Sequence, residues 1–305
     1  MAFVPSGMQL EIALGAQRAT VVEVGGAVRE YTDFGLPVLD PFPVDAMCDG
    51  AHGTPLVPWP NRLADGQYSW DGESYQVALT EPGKHNAIHG FLRWAPWSVR
   101  AHDADRVVMG ATIHPHSGYP FELDVVVEYR LDVDGLVVTT TATNLGDRAL
   151  PYANGQHPYL SAGDGLLDDC TLEFTAATRI VTDDDRQLPI GTEAVAGTDF
   201  DFSTRRSIGA FSMDFAFTDV ARDDDGRAWV SLGRSDGTRA EIWVDDTYPY
   251  VELYTGDTLA PHRQRRGLGS EPMTCPPNAF ATGERIIRLE PGASTVTAWG
   301  ARLAT

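Results

Sequence analysis

The feature that most constrains this chain is a side-chain alternation of period two that recurs along most of its length. Gln9-Leu10-Glu11-Ile12-Ala13-Leu14 alternates, as do Arg18 to Val24, Gln76 to Leu79, Glu122 to Leu131, Leu136 to Thr143 and Arg239 to Val244. Successive side chains of a strand point to opposite faces, so these runs, rich in Val, Ile, Thr and Tyr, predict strands. Turn signals bound them: Gly25-Gly26, Asp71-Gly72, Asp134-Gly135, Asp225-Gly226 and Asp236-Gly237. Asp-Gly between alternating runs predicts a tight hairpin. No window keeps helical periodicity through the ~12 residues a stable helix wants. Strands at this spacing predict roughly two dozen, too many for one open sheet. The expectation is an all-β fold, a large antiparallel β-sandwich of two packed sheets.

With 305 residues, one large β domain or two smaller ones would be possible. The Pro- and Gly-rich stretches, Leu36 to Pro60 and Gly256 to Pro277, carry aromatics and charges and do not read as flexible tethers. Residues 1–305 are therefore read as a single domain, with those long irregular segments reserved for function. The formal net charge of -20 disfavours nucleic acid and anionic membrane surfaces as partners. Asp183-Asp184-Asp185 and Asp223-Asp224-Asp225 read as solvated turns. No apolar run approaches the ~20 residues of a membrane span, and Met1 to Gln17 lacks a basic stretch followed by an apolar one. Cys48, Cys170 and Cys275 are widely spaced with no CxxC, which fits a reducing, cytoplasmic setting. A small molecule is the expected partner, bound by a monomer or homodimer.

Chemically useful side chains collect in five stretches. In Pro151-Tyr152-Ala153-Asn154-Gly155-Gln156-His157-Pro158-Tyr159 the proline and glycine interrupt pairing, so His157 is expected where a strand gives way to a loop. An imidazole there can move protons near neutral pH, or simply fill a turn. Three prolines stiffen Pro55-Leu56-Val57-Pro58-Trp59-Pro60-Asn61-Arg62; Trp59 could offer a sugar-sized face and Arg62 forked donors to hydroxyls. His85 and His89 lie four apart, but Pro82-Gly83 and Gly90 argue against the helix that would make this metal spacing. No metal and no cofactor are expected, and His89 reads as a polar contact to substrate. Asp214, between Met213 and Phe215, is either a turn residue or an acceptor aimed into a pocket. Glu271 stands before Pro272 in a segment too proline-rich for a central strand. On an apolar loop its pKa would rise toward that of a general base.

Together His157 and Glu271 would supply acid and base, with Asn61, Arg62, His89 and Asp214 as hydroxyl contacts and Trp59 or Tyr159 as a ring face. This is an acid–base site for a neutral polyol. The chain contains no GxGxxG and no GxxxxGK[ST]. Asp214 with Glu271 could instead be the carboxylate pair of a glycoside hydrolase, and a non-catalytic sugar binder would use the same contacts. The segment His262-Arg263-Gln264-Arg265-Arg266 could receive a sugar phosphate or be a basic surface patch.

Pro58-Trp59-Pro60-Asn61-Arg62, Ile88-His89-Gly90, Gly118-Tyr119-Pro120-Phe121, Thr143-Asn144, Gly155-Gln156-His157-Pro158-Tyr159 and Glu271-Pro272-Met273-Thr274 follow one another in an order that resembles the aldose 1-epimerases, or galactose mutarotases. The resemblance runs from about Gln9 to the end. It implies a galactose mutarotase-like β-sandwich with the sugar in an open cleft on one sheet. It also implies that His157 is the general acid, Glu271 the general base, and Arg62, His89 and Asp214 sugar contacts. The Pro58-Trp59-Pro60 lead-in and the Glu271-Pro272-Met273-Thr274 form differ from galactose-preferring members.

Overall fold

The computed structural model describes residues 3–305. Two large antiparallel sheets dominate. One holds twelve strands along the path Gln9–Leu14, Gln17–Val22, Val28–Asp33, Leu36–Leu39, Tyr159–Ser161, Gly267–Met273, Tyr250–Tyr254, Asp214–Val220, Ala176–Thr182 and Pro189–Ala194, with Gly155–Gln156 and Pro55–Leu56 branching from it. The other holds nine, from Ser98–His102 through Leu123–Asp132, Gly135–Asn144 and Ser294–Ala304 to Phe202–Ser207. Among the described residues the α-helical content is one turn, Ala279–Thr282.

The inward faces of both sheets meet in one continuous core. Ile12, Val21, Leu160, Val251, Leu253 and Leu268 from the first join Val125, Val127, Val138, Val230, Ile242 and Trp299 from the second. In Leu123–Asp132 every second residue is buried, as the alternation predicts.

The Asp-Gly signal works where the neighbouring runs share a sheet. Asp71 and Gly72 both have positive φ (49° and 83°) between paired Trp70 and Glu73, the geometry of a two-residue hairpin. Asp225-Gly226 behaves differently: it joins Asp214–Val220 of one sheet to Ala228–Gly233 of the other, so it turns a corner between layers. The predicted strand at Gln76 to Leu79 is also corrected. Only Gln76 belongs to a strand, Glu73–Gln76, and Val77 onward is irregular.

The centre of the twelve-stranded sheet departs from alternation. Every residue of Tyr250–Tyr254 and Gly267–Met273 is buried. One face lies on the core; the other is the floor of a cleft roofed by the segments around Asn61, Glu81 and His89. Glu271 therefore sits in a central strand, not on the proline-rich loop expected for it. Pro272 is tolerated there for a physical reason. The amides of Ser270 and Thr274 donate to Pro158 and Asn154 on one side of the strand. Pro272 faces the same way, and its missing N–H falls where the neighbouring strand is interrupted between Gln156 and Tyr159.

Candidate active site

Strand register assembles the floor of the cleft. Gly155 pairs with Met273 and Tyr159 with Gly269, and this single register sets His157 directly across from Glu271. Glu271 pairs in turn with Glu252, and Glu252 with Ala216. One step along the same face lies a second row: Tyr159, Gly269, Tyr254 and Asp214. Since Val251, Leu253 and Leu268 point into the core, these alternate residues must point away from it. Gly269 keeps that row open: a Cβ there would lie 3.1 Å from that of Tyr254 and 3.5 Å from the Tyr159 ring.

His157 and Glu271 touch. Nε2 of the imidazole lies 3.1 Å from Oε1 of the carboxyl group, and both residues are almost wholly buried while lining the cleft. Oε2 of Glu271 and Nδ1 of His157 have no hydrogen-bond partner among the described residues. Burial pushes the Glu271 carboxyl well above the usual range, reinforced by the charges of Glu252 and Asp214. Burial also pulls His157 well below its ordinary value, helped by His52 and Arg93. Both directions favour a pair that shares one proton with no net charge.

The roof is held by reciprocal bonds. The Asn61 backbone N–H donates to His89 Nδ1 at 3.1 Å, and the His89 N–H returns a bond to the Asn61 carbonyl at 3.0 Å. Both residues take positive φ, and Gly90 follows because a Cβ there would fall 1.9 Å from the Val57 carbonyl oxygen. Since Nδ1 of His89 accepts, its proton is assigned to Nε2, which makes the ring a hydrogen-bond donor to anything in the cleft. The nitrogens and oxygens of His89, His157 and Glu271 lie within 4.8 Å of one another, close enough to suggest a metal. The tautomer of His89 works against this, because a metal would need the nitrogen that carries the proton. Burial, with the charge of His157, holds His89 well below its ordinary pKa.

Arg62 is half-buried, and its Nε lies 3.0 Å from Glu81 Oε2. Burial opposes its charge, but the bond to Glu81 and the charges of Asp214, Glu81 and Glu252 more than offset this and raise its pKa. Asp214 begins the strand Asp214–Val220 and accepts from Gln187 Nε2 at 2.5 Å. Tyr159 lines the cleft with its hydroxyl bonded to the Gly50 carbonyl at 2.8 Å. Its ring stacks on His52 at 3.7 Å and runs nearly parallel to His157 at 5.0 Å.

One expectation is corrected. Trp59 is no sugar platform: it is 2% exposed, lies outside the cleft lining and packs against Phe91 and Phe280. Prolines on both sides stiffen its backbone, and the ring is turned inward. Two arginines of the basic segment at 262–266 are already paired within the protein. Arg263 is buried against Asp40 at 2.9 Å, and Arg265 bonds to Asp168 and Asp257.

Sequence reasoning missed Glu252. It is 3% exposed, accepts from Asn61 Nδ2 at 2.7 Å, and stands between Glu271 and Ala216. Burial and the neighbouring Asp214 push its pKa up to about 8. The available signal was Tyr250-Val251-Glu252-Leu253-Tyr254, an acid in a strand otherwise fit for two-sided burial.

The cavity encloses about 280 Å³, at the low end of small-ligand sites, which suits one sugar ring better than a length of polymer. Comparison with known proteins agrees with the fold. A galactose 1-epimerase from Lactobacillus acidophilus superposes with a TM-score of 0.81 at 21% identity, covering 96% of this chain and 93% of that one. An aldose epimerase homologue from C. elegans gives 0.85 at 19%, covering 97% and 98%. These place the fold. By sequence the chain is 33% identical over 288 residues to the uncharacterized protein YihR of Escherichia coli (strain K12), covering 94% of this chain and 90% of that protein. It is 32% identical over 217 residues to human galactose mutarotase, 65% of this chain and 60% of the longer relative. A family model described as aldose 1-epimerase matches residues 8–298, so nearly every residue discussed above falls within a single match, and the chain belongs to the aldose 1-epimerase family.

Proposed function

We propose that this protein is an aldose 1-epimerase, interconverting the α and β anomers of an aldose by opening and closing the ring. The observation that carries this reading is the direct contact of His157 with Glu271 on the floor of a monosaccharide-sized cleft. The raised Glu271 and lowered His157 favour one proton between them, resting on Glu271. A bound sugar changes that balance, because hydroxyls donating to the carboxylate favour its charged form. The proton then moves 3.1 Å to His157. Ionised Glu271 takes the proton of the anomeric hydroxyl as His157 donates to the ring oxygen. The C1–O5 bond breaks and O1 becomes the carbonyl oxygen of the open-chain aldehyde. Rotation about C1–C2 presents the other face. Reclosure returns the O5 proton to His157 and the Glu271 proton to O1, so neither group is consumed. His89 Nε2–H, Arg62 and Asp214 hold the remaining hydroxyls.

A hydrolase would need two carboxylates free to flank a glycosidic bond. Of the pair Asp214 and Glu271, Asp214 is bound by Gln187 and Glu271 is engaged by His157, which favours the epimerase reading. NMR exchange between the anomers of a panel of aldoses tests it. The wild type should accelerate exchange and release no reducing ends from polymers. His157→Asn should slow exchange by at least ~10²-fold, the lower range for one acid or base. The pH–rate profile should be bell-shaped, since the pair works only with one proton between its members. A protein that binds sugars saturably with no exchange would refute the proposal.

A further inference from the structure

The cleft contains two arginines, and they are not equivalent. Arg62 is spent on Glu81. Arg93, on the loop after His89 and Gly90, lines the same cavity, is half-buried and makes no ion pair among the described residues. Its guanidinium lies over the Trp94 ring at 4.6 Å, which fixes its plane without using its donors. The nearby acids do not serve as partners. Glu81 is already bonded to Arg62 and Asn86, and burial pushes the Cys48 thiol up to about 12, which leaves it uncharged. A cation removed from water without a counter-charge is unfavourable, and a bound anion is the usual remedy.

The position of Arg93 gives the anion an address. The Arg93 carbonyl and the Thr54 side chain both crowd Gly25, at 2.5 and 3.1 Å from where its Cβ would lie, and the Thr54 carbonyl accepts the His157 amide at 3.1 Å, so Arg93 stands on the His157 side of the cleft. The cleft is therefore polarised, with Glu81 and Glu252 bonded to Arg62 and Asn61 at one end and Arg93 at the histidine end. This step rests on the epimerase reading. If His157 serves O5, then C5, bonded to O5, lies on the histidine side with its exocyclic C6. We infer that Arg93 receives an anionic group at C6, so that the preferred substrate is an aldose carrying a carboxylate, phosphate or sulfate there. The forked donors of arginine match all three oxyanions.

Mutarotation rates of glucose, glucuronate, glucose 6-phosphate and glucose 6-sulfate, at one fixed ionic strength, separate these chemistries. In the wild type at least one anionic sugar should exceed glucose in kcat/KM by ~10-fold or more, the scale of a charge-assisted bond. That ratio should fall ~10-fold in Arg93→Gln and partly recover in Arg93→Lys. Because Arg93 makes no ion pair, the variant should melt with the wild type, and a thermal scan checks this. If glucose is the better substrate, or the ratio survives Arg93→Gln, the inference is overturned. Should no sugar be mutarotated, the activity reading fails on its own. Quenching of Trp94 fluorescence by the same anions, lost in Arg93→Gln, would still support the anion site, and its absence would end it.

Discussion

Each sheet buries a glutamate on its outer side, and the two are treated in opposite ways. Glu241, in the nine-stranded sheet, is 7% exposed. Its Oε1 accepts from Ser231 at 2.9 Å and Arg239 at 3.3 Å, and its Oε2 from Arg302 at 2.9 Å. Glu271, in the twelve-stranded sheet, is 2% exposed and faces a second glutamate, an imidazole and no arginine within bonding reach. The groove around Glu241 is the larger of the two cavities, about 460 Å³ against 280 Å³. Neither volume nor burial distinguishes a reactive carboxyl group. What distinguishes it is the absence of compensating charge, which keeps a proton within reach of neutral pH.

The sharpest way to break this contrast is to make the same substitution in both sheets. Glu271→Gln should slow anomer exchange by ~10²-fold or more and leave the melting temperature unchanged or raised, since it removes a badly compensated buried acid. Glu241→Gln should leave exchange within about twofold but destabilise by about 1–2 kcal/mol, a figure kept low because its arginine partners are partly exposed. If Glu241→Gln also stopped exchange, the contrast would be wrong.

A second test uses pH. Glu252 has its pKa raised from 4.5 to about 8 in the folded chain. A raised pKa means that the folded state holds a proton the unfolded state has released. The stabilisation is thus complete below pH 4.5 and is lost as pH climbs toward about 8. Melting temperatures measured across that window should fall for the wild type and fall less steeply for Glu252→Gln. Parallel curves would remove Glu252 from the account. The smallest effect is expected at the outer groove. Arg302 lies over Trp229 at 4.1 Å and is 41% exposed. Arg302→Met keeps an apolar stem on the indole and should cost less than about 1 kcal/mol in a denaturant titration, with no change in rate.

How much of this was legible in the sequence follows from the same physics. Strands with one wet face, such as Leu123–Asp132 and Gly135–Asn144, carry a period that can be read directly. Gly267–Met273 is buried on both sides, so its period vanished, and Pro272 made a central strand look like a loop. Glu252 went unnoticed for the same reason. His157 was placed at a break between strands, and it lies between Gly155–Gln156 and Tyr159–Ser161. Trp59 was misjudged because prolines show that a loop is stiff but not which way it turns. The pairing of Arg263 was not legible because its partner, Asp40, lies 223 residues away.

The two-sided burial of Tyr250–Tyr254 and Gly267–Met273 has a further consequence. Segments so enclosed exchange their amide hydrogens only when the whole domain opens, whereas cleft residues on surface loops can come loose alone. Here the carboxyl floor is woven into strands buried along their whole length. Partial fraying at the sheet edges should leave its geometry untouched, so hydrogen exchange at Glu252 and Glu271 is expected to track loss of the fold.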